Sequence, residues 1–176
     1  MRSAFSVVIT IAALTLGLVP PGAPGVAAAA PATPGTAADL APQPERAAPA
    51  DVKRKVVLLT NKRRRANGCR PLKAVRALNV AAQGHSRRMA AANELSHKLP
   101  GEPNAGARLR RAGYHWTMWG ENIAYGQPTA RAVVKAWMRS PGHRRNILTC
   151  RFRHIGVGLA LSDSGAPYWT QDFGRR

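Results

Sequence analysis

The sequence lacks a hydrophobic run long enough to cross a bilayer. Its longest apolar stretch, Ala4 to Val19, covers about sixteen residues where a spanning helix needs roughly twenty, and it ends at Pro20-Pro21. Arg2 precedes this stretch and the small residues Gly25 to Ala30 follow it, which is typical of a cleaved signal peptide and not of a membrane anchor. We therefore predict a signal peptide over residues 1–30, a secreted protein, and no transmembrane segment in the mature chain.

Bulky apolar side chains are scarce in the next segment, residues 31–50, where Ala, Pro, Thr and Gly dominate. Such a composition cannot bury enough surface to offset the entropy lost on ordering, so we predict a flexible linker there. Residues 51–176 have the length of one ordinary domain that can bury a hydrophobic core.

Cysteine is nearly absent, since Cys69 and Cys150 are the only two in the chain. In an exported protein an isolated pair predicts one disulfide. On the chain-entropy model, closing a loop of about 80 residues stabilises the fold by about 4–5 kcal/mol at most. A two-cysteine metal site is the alternative, and it is disfavoured because thiols oxidise outside the cell.

Acidic residues are few: 8 Asp and Glu stand against 27 Lys and Arg, for a net charge of +19. Almost all of these residues lie in residues 51–176, so the domain itself is strongly basic. This charge predicts an anionic envelope polymer or lipid as partner, with affinity that falls as salt rises, and only non-specific contact with nucleic acid. The alternative is a basic surface that serves only solubility.

The local signatures of common hydrolases are also missing. There is no His-Glu-x-x-His helix, no defensible Ser-His-acid order and no cysteine nucleophile beside a base. The sequence therefore leaves enzymatic activity undecided and weighs against it.

Three separate fragments do carry candidate chemistry: Ser96-His97, Gly120-Glu121-Asn122 and Ser140-Pro141-Gly142-His143. Two imidazoles and a carboxylate beside residues that break regular structure suit a divalent-metal site. We predict His97 and His143 as ligands of a weakly bound Zn²⁺ or other divalent cation. Glu121 is either a third ligand or bonded to the metal's water, and it is also the candidate catalytic residue. Only the fold can bring these distant fragments together.

Helical periodicity predicts helices over about residues 52–67, 75–93 and 104–112 and a fourth that begins at Thr129. On the second helix, His85 points inward, so we expect a hydrogen-bonded core residue and not a ligand. Ser140 can cap a further turn with Pro141 at its first position. His143 then lies in the first turn, where free backbone donors keep an imidazole neutral.

Strand patterns cluster at the end of the chain. Residues 152–161 and 168–173 predict a hairpin around Asp163-Ser164-Gly165, and the aromatic stretch 114–119 is the natural third strand. Because helices precede and separate these strands, we predict an antiparallel sheet in an α+β layered domain.

The motifs together resemble the bacterial branch of the CAP superfamily, which covers cysteine-rich secretory proteins, antigen 5 and plant pathogenesis-related proteins. The resemblance runs from about Val52 to Gly174 and rests on Leu59-Thr60-Asn61, Arg64, Gly68, Pro71-Leu72, His85-Ser86, Met89-Ala90, Ser96-His97, Ala112-Gly113-Tyr114, Gly120 to Ala124, Trp137-Met138, Ser140 to Asn146 and Tyr168 to Gly174.

This resemblance implies a three-layer α-β-α sandwich with a cavity lined by His97, Glu121 and His143. Ser140 stands where many eukaryotic members carry a second glutamate, so a full carboxylate pair is missing, which weakens any mechanism that needs a separate acid and base. For Asn122 we expect a structural role, in which its side chain holds the 120–123 loop by hydrogen bonds to backbone.

For function, the resemblance implies an extracellular or cell-envelope binding module, with sterol or another lipid as a further candidate ligand. One alternative is a metal-dependent hydrolase in which His97 and His143 bind zinc and Glu121 activates water. Another is a structural, polyanion-adhesive domain in which the three residues form a hydrogen-bond network.

Overall fold

The computed structural model describes residues 49–176, so the predicted signal peptide and nearly all of the predicted linker lie outside the described residues. In chain order the elements are α1 Pro49–Arg65, β1 Lys73–Ala74, α2 Arg76–Ala92, α3 Ala105–Arg111, β2 Met118–Tyr125, α4 Ala130–Arg139, α5 Pro141–Leu148, β3 His154–Leu161 and β4 Pro167–Arg175. The predicted α+β class and three-layer sandwich are confirmed. Each predicted helix is present, with ends that differ by a few residues.

The sheet has four strands in the order β1-β3-β4-β2. Strands β3 and β4 form the predicted antiparallel hairpin, and β2 pairs with β4 antiparallel. The two-residue β1 lies parallel to β3, so the sheet is mixed and not purely antiparallel as predicted.

The predicted strand over residues 114–119 is misplaced. The residues before Met118 turn at Gly113, where φ is +83°, and then pack against α3, with Trp116 donating its indole N–H to the Gly106 carbonyl at 2.8 Å. Pairing with β4 begins only at Met118 and continues to Tyr125. The Gly120-Glu121-Asn122 motif therefore lies inside a strand and not in a loop.

Helices cover both faces of the sheet. One layer, α1 with α4 and α5, encloses a core that includes Val56, Trp137, Ile155 and Phe173. On the other face α2 lies close to β3, because the two β3 residues nearest to it, Gly156 and Gly158, have no side chains. A Cβ on Gly156 would lie 2.2 Å from the Leu78 carbonyl carbon. The missing side chains thus set how near α2 can lie to the sheet.

The outer edge of β2 is occupied by side chains from the helical layer. Asn146 of α5 donates to the Glu121 carbonyl at 3.0 Å, and the indole of Trp137 donates to the Ile123 carbonyl at 3.0 Å. These bonds satisfy backbone acceptors that an edge strand leaves open. They also fix the strand that carries Glu121.

The predicted disulfide between Cys69 and Cys150 is present, with the Cα atoms 4.9 Å apart. It joins the segment after α1 to the segment after α5. Beside it, the fully buried Arg64 donates to the carbonyls of Arg70, Ile147, Thr149 and Phe152 at 2.7–3.3 Å. This arginine belongs to the core, although it lies within a run of basic residues.

Within residues 49–176, no helix combines the length and apolarity that a membrane crossing needs.

Candidate functional site

The structure brings the three predicted fragments to the β2 edge of the sheet. Glu121 lies in the middle of β2, His97 in the connection from α2 to α3, and His143 in the first turn of α5. The Glu121 Oε1 atom is 2.7 Å from His97 Nδ1. The side chain of the next residue, Asn122, donates to the His143 carbonyl at 3.2 Å.

Helix α5, which carries His143 in its first turn, begins with Pro141 at the first helical position, as the sequence predicts. Ser140 occupies the predicted N-cap position, but its side chain makes no capping hydrogen bond. Burial lowers the pKa of His143, and the neighbouring charge of His97 lowers it further. A neutral His143 with an available lone pair is thus favoured at neutral pH.

Glu121 is buried and both of its oxygens are engaged. Oε1 bonds His97, while Oε2 forms an ion pair with Arg108. Burial by itself would raise the pKa of Glu121, but the His97 hydrogen bond and the Arg108 charge outweigh it and lower the pKa below its usual range. Glu121 is therefore held as a carboxylate whose acceptor positions face protein donors.

Arg108 of α3 ties this arrangement together, and sequence reasoning missed it. Besides its bond to Glu121, it donates to the carbonyls of His97 and Pro103, each at 3.0 Å. His97 is consequently held at two points, with its ring bonded to Glu121 and its backbone carbonyl bonded to Arg108. The available signal was an arginine on the buried face of a short helix.

His85 is a hydrogen-bonded core residue, as predicted. Its Nδ1 lies 3.0 Å from an oxygen of the buried Glu102. Its Nε2 is 4.0 Å from Glu121 Oε2, so His85 also borders the site, which its place on an apolar helix face did not indicate. A buried network therefore lies beneath the exposed His97 ring.

A second carboxyl group stands directly opposite Glu121. Asp172 of β4 pairs with Glu121 in the β2–β4 register and is 1% exposed. Among the described residues, neither Asp172 oxygen has a hydrogen-bond partner. Burial raises the pKa of Asp172 well above its usual range, and the negative charge of Glu121 raises it further. Both effects favour the protonated, neutral form of Asp172 beside the Glu121 carboxylate.

The acid that many eukaryotic members carry at the position of Ser140 is absent, yet Glu121 still has a carboxyl neighbour. The second acid comes from β4 by cross-strand pairing and not from the position of Ser140. One sequence signal was available: Asp172 lies in a strand whose interior positions, Tyr168 to Gly174, are all buried. An acid at such a position requires a special environment.

Asn122 has the structural role that its position suggested. Its Nδ2 also donates to the Gln171 side chain at 3.1 Å, and its Oδ1 accepts from Asn146 at 2.8 Å. The bonds differ from the prediction in that they link a strand to α5 and β4 and do not brace a loop.

The donor set available to a metal is limited. Within residues 49–176, no group of three or more His, Cys, Asp or Glu side chains is arranged to hold an ion. Glu121 is engaged by His97 and Arg108, which leaves two imidazoles as ligands. Since Nδ1 of His97 is bonded to Glu121, Nε2 is the nitrogen left to bind, on a side chain that is 57% exposed. Two imidazole nitrogens without a third protein ligand would hold a divalent cation only weakly, with water completing its coordination.

The family model for the cysteine-rich secretory protein (CAP) family matches residues 57–173. The chain belongs to this family. The match begins within α1 and ends near the end of β4, so the CAP domain contains the layers, the disulfide and the site described above.

Similar proteins occur in bacteria. The CAP chain is 42% identical to Bacillus subtilis YkwD over 120 residues, which are 68% of this chain and 46% of YkwD. It is 32% identical to the B. subtilis membrane protein YlbC over 123 residues, 70% of this chain and 34% of YlbC. The chain therefore spans less than half the length of these curated relatives.

Solved structures agree with the fold. An extracellular SCP-domain protein from Bacillus anthracis is 31% identical with a TM-score of 0.67, over 72% of this chain and 41% of that chain. An outer surface protein from Borrelia burgdorferi is 17% identical with a TM-score of 0.66, over 72% of this chain and 93% of that chain. The second likeness concerns the fold alone.

Proposed function

We propose that this CAP protein is a secreted binding module of the extracellular space or the cell envelope, and that His97 and His143 hold one Zn²⁺-class divalent cation weakly. The observation that carries the proposal is the 2.7 Å contact between His97 Nδ1 and Glu121 Oε1. The extracellular SCP-domain protein of B. anthracis supports the location.

The contact supports cation binding because it fixes the tautomer and direction of the His97 ring. In a neutral imidazole whose Nδ1–H donates to a carboxylate, Nε2 carries the lone pair, which is how metal-binding histidines are held in many sites. Burial favours the neutral form of His143 as well. When bound, the cation would act as a Lewis acid that coordinates an oxygen atom of a ligand. Glu121 then acts as the orienting group and not as a third ligand.

The same contacts favour binding over hydrolysis. A hydrolytic base must reach a water, and both Glu121 oxygens already bond His97 and Arg108. Asp172 keeps a proton and is fully enclosed, so it is no substitute base. Glu121 as a catalytic residue thus stays a prediction that this geometry does not support.

Calorimetric titration of zinc into the protein at neutral pH tests the proposal. We expect one weak site that His97→Ala and His143→Ala each abolish. His115→Ala is the matched control, because His115 is exposed and lies outside the site, and it should leave the titration unchanged. If the two site variants titrate like the control, the cation does not bind here, and the residues are a hydrogen-bonded network that holds β2.

A second candidate function, adhesion to anionic envelope polymer, is favoured by a groove between α1 and α4. Its volume is about 400 Å³, and it is lined by two apolar and four basic residues: Leu59, Val134, Lys62, Arg63, Arg131 and Lys135. Within residues 49–176, none of the four cations has a carboxylate within ion-pair distance. Unneutralised charge of this kind attracts polyanions.

Retention on wall preparations or acidic liposomes at increasing salt tests this second function. Charge-driven binding should weaken sharply, and Arg131→Gln should weaken it at low salt more than Arg87→Gln, an exposed arginine on α2 outside the groove. Retention that does not change with salt would argue instead for a sterol or other lipid held by apolar contacts.

A further inference from the structure

A second cavity lies between α2 and α3, separate from the His97 site. This α2–α3 cleft has a volume of about 230 Å³ and is lined by Val80, Ala81, Gly84, His85, Arg88, Glu102, Pro103, Arg108, Arg111 and Ala112. Neither candidate metal ligand lines it. Its residues nevertheless include Arg108 and His85, which also border the buried network.

Two buried polar atoms of the cleft residues have no partner among the described residues: Arg108 Nε and His85 Nε2. The Arg108 side chain is 7% exposed and that of His85 is 0% exposed. A buried donor left without an acceptor costs free energy, so native proteins almost always provide one from protein, water or ligand. Because Arg108 Nε can only donate, its missing partner is an acceptor atom.

The charge of the cleft identifies the class of that acceptor. Three arginines line it, and its one acid, Glu102, already accepts from Arg88 at 3.4 Å and from the Leu99 backbone at 3.4 Å and contacts His85. Because Arg108 also pairs with Glu121, the three arginines face two carboxylates, which leaves one excess positive charge, and Arg111 is the lining arginine that no ion pair neutralises within residues 49–176. Guanidinium groups in this number match the oxygens of carboxylates and phosphates.

The volume and the lining residues of the cleft restrict the size of the ligand and the placement of its charged group. The volume equals that of about eight waters, which is room for a phosphate or carboxylate group and a few attached atoms. Val80, Ala81 and Ala112 supply an apolar wall beside the arginines, so the charged group of the ligand meets the arginine side of the cleft.

We propose that the α2–α3 cleft is a binding site for a small oxyanion, a phosphate or carboxylate group held by Arg108, Arg111 and Arg88. This inference goes beyond the cation site at His97 and does not depend on it. Arg108 and Glu102 form the buried floor, and Arg88 and Arg111 are exposed at the rim.

NMR detection of the arginine Nε–Hε signals tests this site directly. Inorganic phosphate and acetate are titrated separately into the protein, with sodium chloride adjusted to hold ionic strength constant. We expect a saturable shift of the Arg108 Nε–Hε signal, because that group gains its acceptor. Saturable binding of phosphate but not of acetate would assign a phosphate ligand, and the reverse result would assign a carboxylate ligand. Shifts that rise linearly without saturation for both anions would overturn the proposal.

Neighbouring arginines supply matched controls for the rim. Arg111→Gln and Arg88→Gln should each weaken the saturable binding about two- to fivefold, as expected for an exposed charge. Arg110→Gln and Arg87→Gln remove the same charge from the same helices but not from the cleft, and Arg110 lies over Trp116 instead. These two should leave binding unchanged. Equal weakening by all four variants would mean that the anion senses only net charge, which contradicts a built site.

Discussion

Replacing Asp172 with asparagine should make the protein more stable at neutral pH, and the gain should grow as pH rises. Burial and the Glu121 charge raise the pKa of Asp172 and favour its protonated form in the folded protein, whereas the unfolded chain releases the proton above a pKa of about 3.9. Folding therefore takes up a proton in this window. Stability falls as pH rises, by up to about 1.4 kcal/mol per pH unit for one proton. Asparagine is neutral at every pH and has no proton to release, so this pH-dependent contribution is absent from the variant.

Urea unfolding followed by far-UV circular dichroism, at half-unit steps from pH 5 to 7.5, measures this difference. Above pH 5 the lowered pKa of Glu121 adds no slope of its own, and any contribution of His143 is common to both proteins. Asp163→Asn, at an exposed position of the β3–β4 turn, is the control that should leave the slope unchanged. A difference between Asp172→Asn and wild type that is independent of pH would refute the assignment of the proton.

Four further outcomes are expected. Cys69→Ser should cost a few kcal/mol, at most about 4–5, and lower the melting temperature by roughly 10 °C or more; an unchanged thermal transition would contradict a stabilising disulfide. Gly158→Ala should destabilise the protein by about 1–3 kcal/mol because the new Cβ would lie 2.2 Å from the Ala82 carbonyl oxygen. Gly84→Ala in α2, with nothing within 4 Å, should instead stabilise it by about 0.5–1 kcal/mol in the same denaturant assay. Zinc affinity should fade as pH drops below the histidine range, and the lowered pKa of His143 moves the loss to lower pH; calorimetry at pH 5, 6 and 7 checks this.

The sequence predicted well the features that local patterns determine. Apolar periodicity located the helices, and alternation located the β3–β4 hairpin. A lone cysteine pair in a chain with a signal-peptide pattern predicted the disulfide that the structure contains. The motifs also identified His97 and Glu121, which the fold brings into contact.

The remaining features depend on pairing between distant segments. Strand β2 was misplaced because one of its faces carries Glu121 and so gives no apolar alternation. Asp172 reaches Glu121 only through the β2–β4 register, and Arg108 reaches it only because α3 packs over that strand. Nothing in the spacing of these residues along the chain indicates such contacts.

The proposed function rests on His97 and His143 holding the cation while Glu121 orients His97. Anomalous diffraction at the zinc edge, from crystals of the protein grown with zinc, tests this arrangement of ligands. We expect one anomalous peak at bonding distance, about 2.0–2.1 Å, from His97 Nε2 and from a ring nitrogen of His143, with Glu121 still bonded to His97 Nδ1. A peak on the Glu121 carboxylate, or no peak at these two histidines, would show that the proposed site is wrong.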